Sequence, residues 1–183
     1  MTSPNPVVSV FGSSQLPPGS PGYEEARLAG RLLAQAGLTV CSGGYAGIME
    51  AVSRGAKEAG GATIGVTTSQ FSGRTANRWL DKEVTTPSLF ERLRTIVEMG
   101  HAYLGLQGGV GTLTEISLVW SLLQTHSIPV RPLVLLRHPW QGLLDYCAGA
   151  LIISAPDFRR LQIAATPVEA VCALVEALRT TGQ

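Results

Sequence analysis

The chain has 183 residues, enough for one domain that buries a full core. Hydrophobic residues make up 45% of it, charged residues only 15%, and the net charge is +1. That balance gives no electrostatic case for a nucleic-acid or membrane partner, and so sparse a charge points to a surface covered by self-association. Cys41, Cys147 and Cys172 are widely spaced without a CxxC, and His101, His126 and His138 show no ligand spacing. Neither a disulfide framework nor a metal site is expected, and the thiols read as reduced. With no signal peptide and no apolar run of membrane-spanning length, the expected location is cytoplasmic.

Val7–Phe11 is a compact β-branched run ending in Gly12-Ser13-Ser14, a strand whose exit reads by itself as an ordinary loop, the other reading being a loop suited to a nucleotide. Residues 15–22, with three prolines, form a loop, and Tyr23–Ala36 carries apolar positions at helical spacing with Gly37 as its stop. Leu38–Cys41 is a second short strand. Ser42-Gly43-Gly44-Tyr45-Ala46-Gly47 then turns into a helix from Ile48 to about Ala59. The GGxxG spacing is not a dinucleotide fingerprint, and no acidic residue closes the next strand, Ala62–Val66. Thr67–Asp81 is polar, holds Arg74, Asn77, Arg78 and Trp79, and suits a loop over a ligand or against a neighbouring subunit. Glu83–Thr85 is a candidate short strand. Ser88–Met99 is a helix on which Arg92 and Arg94 fall off the apolar stripe, where an arginine is ordinarily solvated.

Ala102–Leu106 is apolar enough for a strand covered on both faces. It runs into Gln107-Gly108-Gly109-Val110-Gly111-Thr112, and a helix from Thr112 to Gln124 follows. Glycines that turn the backbone, with a helix N-terminus behind them, make a phosphate site. Thr112 reads as the N-cap, with Glu115 three residues later. The pair has two readings: a capping box, or a carboxylate placed to reach the sugar of a nucleotide whose phosphate sits on the loop. The helix is apolar nearly all round, so a partner chain is expected on one side of it. Pro132–Leu136 and Leu161–Ala165 are further strands, while Trp140–Ile152 and Pro167–Arg179 are helices. Alternating strands and helices argue one α/β domain over residues 1–183, a doubly wound open parallel sheet with helices on both faces.

These residues carry a family resemblance. Gly108 to Glu115, Arg92 upstream of them, and Ser42 to Met49 are similar to the LOG ("Lonely Guy") family, Rossmann-like proteins often mislabelled as lysine decarboxylases. The resemblance runs from the first strand to about Leu136. It implies a phosphoribohydrolase that splits a nucleoside 5′-monophosphate, AMP or a cytokinin ribotide, into free base and ribose 5-phosphate. It also implies that Gly108, Gly109, Gly111 and Thr112 hold the phosphate and that Arg92 and Glu115 are the catalytic pair. Ser13, Gly43, Gly44 and Met49 would line the rest of the pocket. No cofactor is implied, and at least a dimer is.

Two departures stand out. Gln107 replaces the proline usual before the glycines, and Arg92-Leu93 stands where cytokinin-activating members have Arg-Lys. The stretch around Arg92 and the 67–81 insertion resemble a bacterial branch close to molybdenum-cofactor carrier proteins. A non-catalytic carrier of a phosphorylated pterin is therefore the alternative. Pyridoxal phosphate chemistry needs a Schiff-base lysine, and neither Lys57 nor Lys82 is placed for one.

Overall fold

The computed structural model describes residues 5–181, with side-chain detail to residue 180. The elements run β1 (Val7–Phe11), α1 (Pro21–Gln35), β2 (Thr39–Ser42), α2 (Ile48–Glu58), β3 (Thr63–Thr68), β4 (Lys82–Thr86), α3 (Leu89–Met99) and β5 (Ala102–Gly105). They continue with α4 (Val110–Gln124), β6 (Leu133–Leu136), α5 (Arg137–Ala150), α6 (Ala155–Phe158), β7 (Leu161–Ala164) and α7 (Pro167–Thr181). The strands form one sheet in the order β4-β3-β2-β1-β5-β6-β7, every pairing parallel.

Strand periodicity builds two cores from one sheet, because successive side chains leave on opposite faces. Val8, Val10, Val40, Ala102, Leu104 and Val134 pack with α1, α2 and α7. Phe11, Cys41, Val66, Tyr103, Leu133 and Leu135 pack with the helices α3, α4 and α5. The doubly wound α/β architecture is as the sequence predicts. Helices α1 and α2 sit unusually close: a methyl at Gly30 would collide with the Val52 carbonyl, and one at Gly55 with that of Arg27. On their outer side Glu58 accepts two bonds from Arg27 and one from Arg54, all at 2.8–2.9 Å.

The 67–81 segment begins later than expected. Thr67 and Thr68 still belong to β3, paired with Thr85 and Thr86 of β4, as β-branched residues favour. Helix α5 is interrupted at His138, whose ψ of 128° is not helical, so its continuous part begins about where expected, next to Trp140; the bond from His138 to Pro139 is cis. The four-residue α6 was not foreseen. Its Phe158 packs on Trp120, and Trp120 Nε1–H donates to the Asp157 carbonyl at 2.8 Å, so this part of α4 is covered within the chain. No helix among the described residues is long and apolar enough to cross a membrane.

Candidate active site

Between β1 and β5 the strand order reverses direction, and loops leaving the two carboxyl ends diverge. In an open α/β sheet a ligand crevice forms at that point. A cleft of about 420 Å³ lies there, walled by the 12–15 loop after β1, the first turn of α4, Tyr45 and Met49 after β2, and Phe71 and Arg74 after β3. Backbone bonds fasten the walls together. Ser13 N–H donates to the Gln107 carbonyl at 3.0 Å, and the Ser13 carbonyl accepts from Ile48 N–H at 2.8 Å. Gly47 closes the second glycine turn at φ +68°, where a side chain would strike the Ser13 carbonyl.

The start of α4 is displaced from the expected one, its N-cap lying three residues earlier. Gly109, not Thr112, is the N-cap of α4, and the first helical bond runs from Leu113 N–H to the Gly109 carbonyl. Val110, Gly111 and Thr112 are therefore the first three helical residues, and their N–H groups point out of the helix start with no intrahelical acceptor. The Thr112–Glu115 capping box does not exist, because Glu115 lies at the sixth helical position. A methyl at Gly109 or Gly111 would meet no protein atom, so both glycines leave the backbone bare on the cleft wall. Gly108 serves packing instead, since a Cβ there would collide with the Thr112 side chain, which lies beneath the turn.

Arg92 is the clearest departure from the ordinary solvated helix arginine. It is 6% exposed and projects from α3 under the cleft. Its Nε–H donates to the Val66 carbonyl at 2.8 Å and Nη2 to the Gly43 carbonyl at 3.2 Å, while Nη1 reaches Glu115 Oε1 at 3.4 Å. The Tyr45 ring centroid lies 5.7 Å from the guanidinium carbon, within cation–π range. Gly43 is bare because a Cβ would collide with Arg92 Nη2. Arg94, two residues on, stays outside and pairs with Glu98.

Glu115 is 7% exposed and meets Arg92 through one long contact. Burial pushes its carboxyl up to about 7, and the guanidinium offsets only part of that penalty. It lines the cleft and is poised between its two protonation states near neutral pH. Cys41, behind it in the core, is pushed by burial up to about 12 and is chemically quiet.

Of the residues singled out in the sequence, Ser13, Met49, Arg92, Gly109, Gly111, Thr112 and Glu115 line the cleft. Gly43, Gly44 and Gly108 do not. Gly43 seats Arg92, Gly108 seats Thr112, and Gly44, at φ +79°, gives its carbonyl to both Asn77 N–H and Asn77 Nδ2. Gln107 points elsewhere: its side-chain oxygen lies against Gly22 of α1. Tyr45, Phe71 and Arg74 also line the cleft; Arg74 was expected only within a segment suited to cover a ligand, and none of the three was assigned a role in the site. Only their place in a glycine turn and a polar insertion hinted at them. No cluster of metal-binding side chains occurs among the described residues.

Comparison with known proteins gives this geometry a lineage. Residues 5–130 match the family model described as the SLOG cluster4 family. A Mycobacterium tuberculosis protein named cytokinin riboside 5′-monophosphate phosphoribohydrolase is 34% identical over 135 residues, 70% of each chain. The Mycobacterium marinum protein of the same name is 37% identical over 100 residues, and the match spans 54% of this chain and only about half, 54%, of that relative. Among solved structures, the molybdenum cofactor binding protein of Rippkaea orientalis superposes over 98% of both chains with a TM-score of 0.75 at 24% identity, a likeness of fold. The chain belongs to the SLOG cluster4 family and is a relative of the LOG-type proteins named as phosphoribohydrolases.

Proposed function

We propose that the cleft hydrolyses the N-glycosidic bond of a nucleoside 5′-monophosphate, releasing free base and ribose 5-phosphate. The observation that carries this reading is the buried Arg92–Glu115 pair lying within the same cleft as the start of α4. In this reading the 5′-phosphate sits on the N–H groups of Gly109, Val110, Gly111 and Thr112, helped by the helix dipole. Glu115 then faces the ribose. As the C1′–N bond breaks, positive charge builds on the sugar and the ionised carboxylate offsets it. Glu115 takes one proton from the attacking water as the C1′–O bond forms, then returns it to the departing base. A carboxyl held near 7 suits both transfers.

Arg92 acts through Glu115. Two bonds to backbone carbonyls fix its guanidinium, so it orients the carboxylate and moderates the cost of ionising it in a buried place. The relatives named phosphoribohydrolases support a hydrolase of this kind. The proposal includes a cytoplasmic protein of one domain acting as at least a dimer, with a small phosphorylated ligand and neither nucleic acid nor membrane as partner.

The competing reading is a non-catalytic carrier of a phosphorylated pterin, since the Rippkaea protein is named for molybdenum cofactor binding. Both readings use the same anion site. Chromatography of AMP and IMP incubated with the protein separates them. Free base and ribose 5-phosphate from the wild type, lost in Glu115→Gln, are the expected result. A bound phosphorylated ligand with no turnover in either protein would favour the carrier.

A further inference from the structure

One charged side chain on the cleft wall has no part in the chemistry above. Among the described residues lining the cleft, Arg74 is the charged group besides Arg92 and Glu115. Its guanidinium carbon lies 5.1 Å from the centroid of the Phe71 ring and 5.9 Å from that of Tyr45. The two rings are themselves 5.8 Å apart.

This platform is anchored. Tyr45 is buried, and its hydroxyl accepts from Thr68 N–H at 2.9 Å while lying 3.2 Å from the Thr68 carbonyl. Arg74 N–H donates to the Phe71 carbonyl at 3.2 Å, which bends the segment back on itself. Asn77 Nδ2 ties the far end to the Gly44 and Tyr45 carbonyls at 3.1 and 3.0 Å. Arg74 itself is exposed. A guanidinium lying on aromatic rings spends its face on them and keeps its edge, a planar fork of N–H donors, for other partners. Among the described residues no carboxylate lines the cleft except Glu115, which already faces Arg92.

We infer that Arg74 reads the base, and that the preferred substrates are 6-oxopurine nucleotides, of the inosine or guanosine 5′-monophosphate class, over adenosine monophosphate. The inference rests on the proposed nucleotide hydrolase. With the phosphate on α4 and the ribose at Glu115, the wall left for the base includes Gln15, Met49, Leu89, Leu93, Phe71 and Arg74, and Arg74 is the one charged side chain among these. A 6-oxopurine offers two acceptors side by side, O6 and N7, which a guanidinium edge meets with two parallel bonds. Adenine keeps N7 but replaces O6 with an amino donor that opposes the same fork. Donation to N7 and O6 also stabilises the electrons left on the base when the glycosidic bond breaks. Arg74 is thus a specificity-determining residue.

The test compares kcat/KM for IMP and AMP, which differ in the C6 substituent, in wild type, Arg74→Ala and Arg74→Lys. Equilibrium binding of both nucleotides to Glu115→Gln runs in parallel. The wild type should favour IMP by about tenfold or more, the discrimination a bidentate contact supplies. Both Arg74 variants should bring the ratio close to one, because lysine keeps the charge but not the fork. A wild type that prefers AMP, or a ratio unchanged by either variant, overturns the inference while leaving the hydrolase standing. IMP bound more tightly than AMP by Glu115→Gln, with no turnover by the wild type, keeps the inference and overturns the hydrolase. Neither nucleotide bound nor cleaved overturns both.

Discussion

Two ion-pair systems in this molecule follow opposite rules. On the outer side of α1 and α2, Glu58 holds Arg27 and Arg54 through short bonds of 2.8–2.9 Å, and those bonds, the ones from Arg27 first, pull its carboxyl down to about 2. Under the cleft, Glu115 meets Arg92 through one 3.4 Å contact, and burial pushes its carboxyl up to about 7. The better bonded acid is the one settled in its charged state. The poorly bonded, buried acid is left near the point where it gives or takes a proton at neutral pH. Good contacts go with a settled charge here, and unrelieved burial with a proton held near neutrality.

Removing each acid should separate the two rules. Glu115→Gln should lower turnover of a nucleoside monophosphate by about 10²–10⁴-fold, the range for losing a positioned acid–base group. Circular dichroism confirming a folded variant, together with retained activity, would return Glu115 to a structural role. Arg92→Met comes next. It leaves Glu115 without its partner, so at pH 8 denaturant unfolding should show a loss of about 3–5 kcal/mol. The loss should shrink below pH 6, where Glu115 is protonated and needs no partner; a loss independent of pH would assign it to packing alone.

A smaller effect tests the sign of the Glu115 shift. The folded chain keeps this proton up to about pH 7, whereas the unfolded chain releases it near 4.5. Stability from this carboxyl is therefore fully present below pH 4.5 and declines as pH rises through 7, by on the order of 3 kcal/mol in all. The stability difference between wild type and Glu115→Gln should drift by that amount between pH 4 and 8. A constant difference would mean Glu115 titrates normally.

The smallest change is expected at the surface. Glu58→Gln should lower Tm by no more than about 4 °C at pH 7, since solvent screens exposed pairs. With the folded carboxyl lowered, the stabilisation is present above the unfolded value of 4.5 and is lost as pH falls through about 2. Calorimetry showing a drop as large as that for Arg92→Met would erase the contrast between the two regions.

The sheet was legible because its signal is local. Alternation of Tyr103 with Ala102 and Leu104 assigns each strand residue to one of two cores, and every strand of the sheet was anticipated within a few residues. Helix ends were harder. Thr112 has the chemistry of an N-cap, yet the glycine turn lets the helix begin at Val110, so Glu115 falls one turn deeper and its capping role vanishes. Arg92 shows the limit most clearly. Helical spacing puts it off the apolar stripe, and only the carbonyls of Val66 and Gly43, far away in sequence, make that position an interior one. Gly43 and Gly108 were expected at the ligand and instead seat Arg92 and Thr112, while Gly44 packs against Gly65 and Thr67 and holds Asn77, because a missing Cβ serves close packing as well as ligand access. Arg74 was legible only as part of a polar segment suited to cover a ligand, and Phe71 had no motif to announce it. Their arrangement exists only once the segment is tied to the second glycine turn.

Whether the buried Glu115 carboxyl acts in its ionised form is tested most directly by the pH dependence of kcat/KM for ribose 5-phosphate release. The expected profile rises with pH along a limb centred near 7, where burial holds this carboxyl. A limb near the ordinary carboxylate value, or activity that is highest below pH 6 and falls as Glu115 ionises, would contradict it.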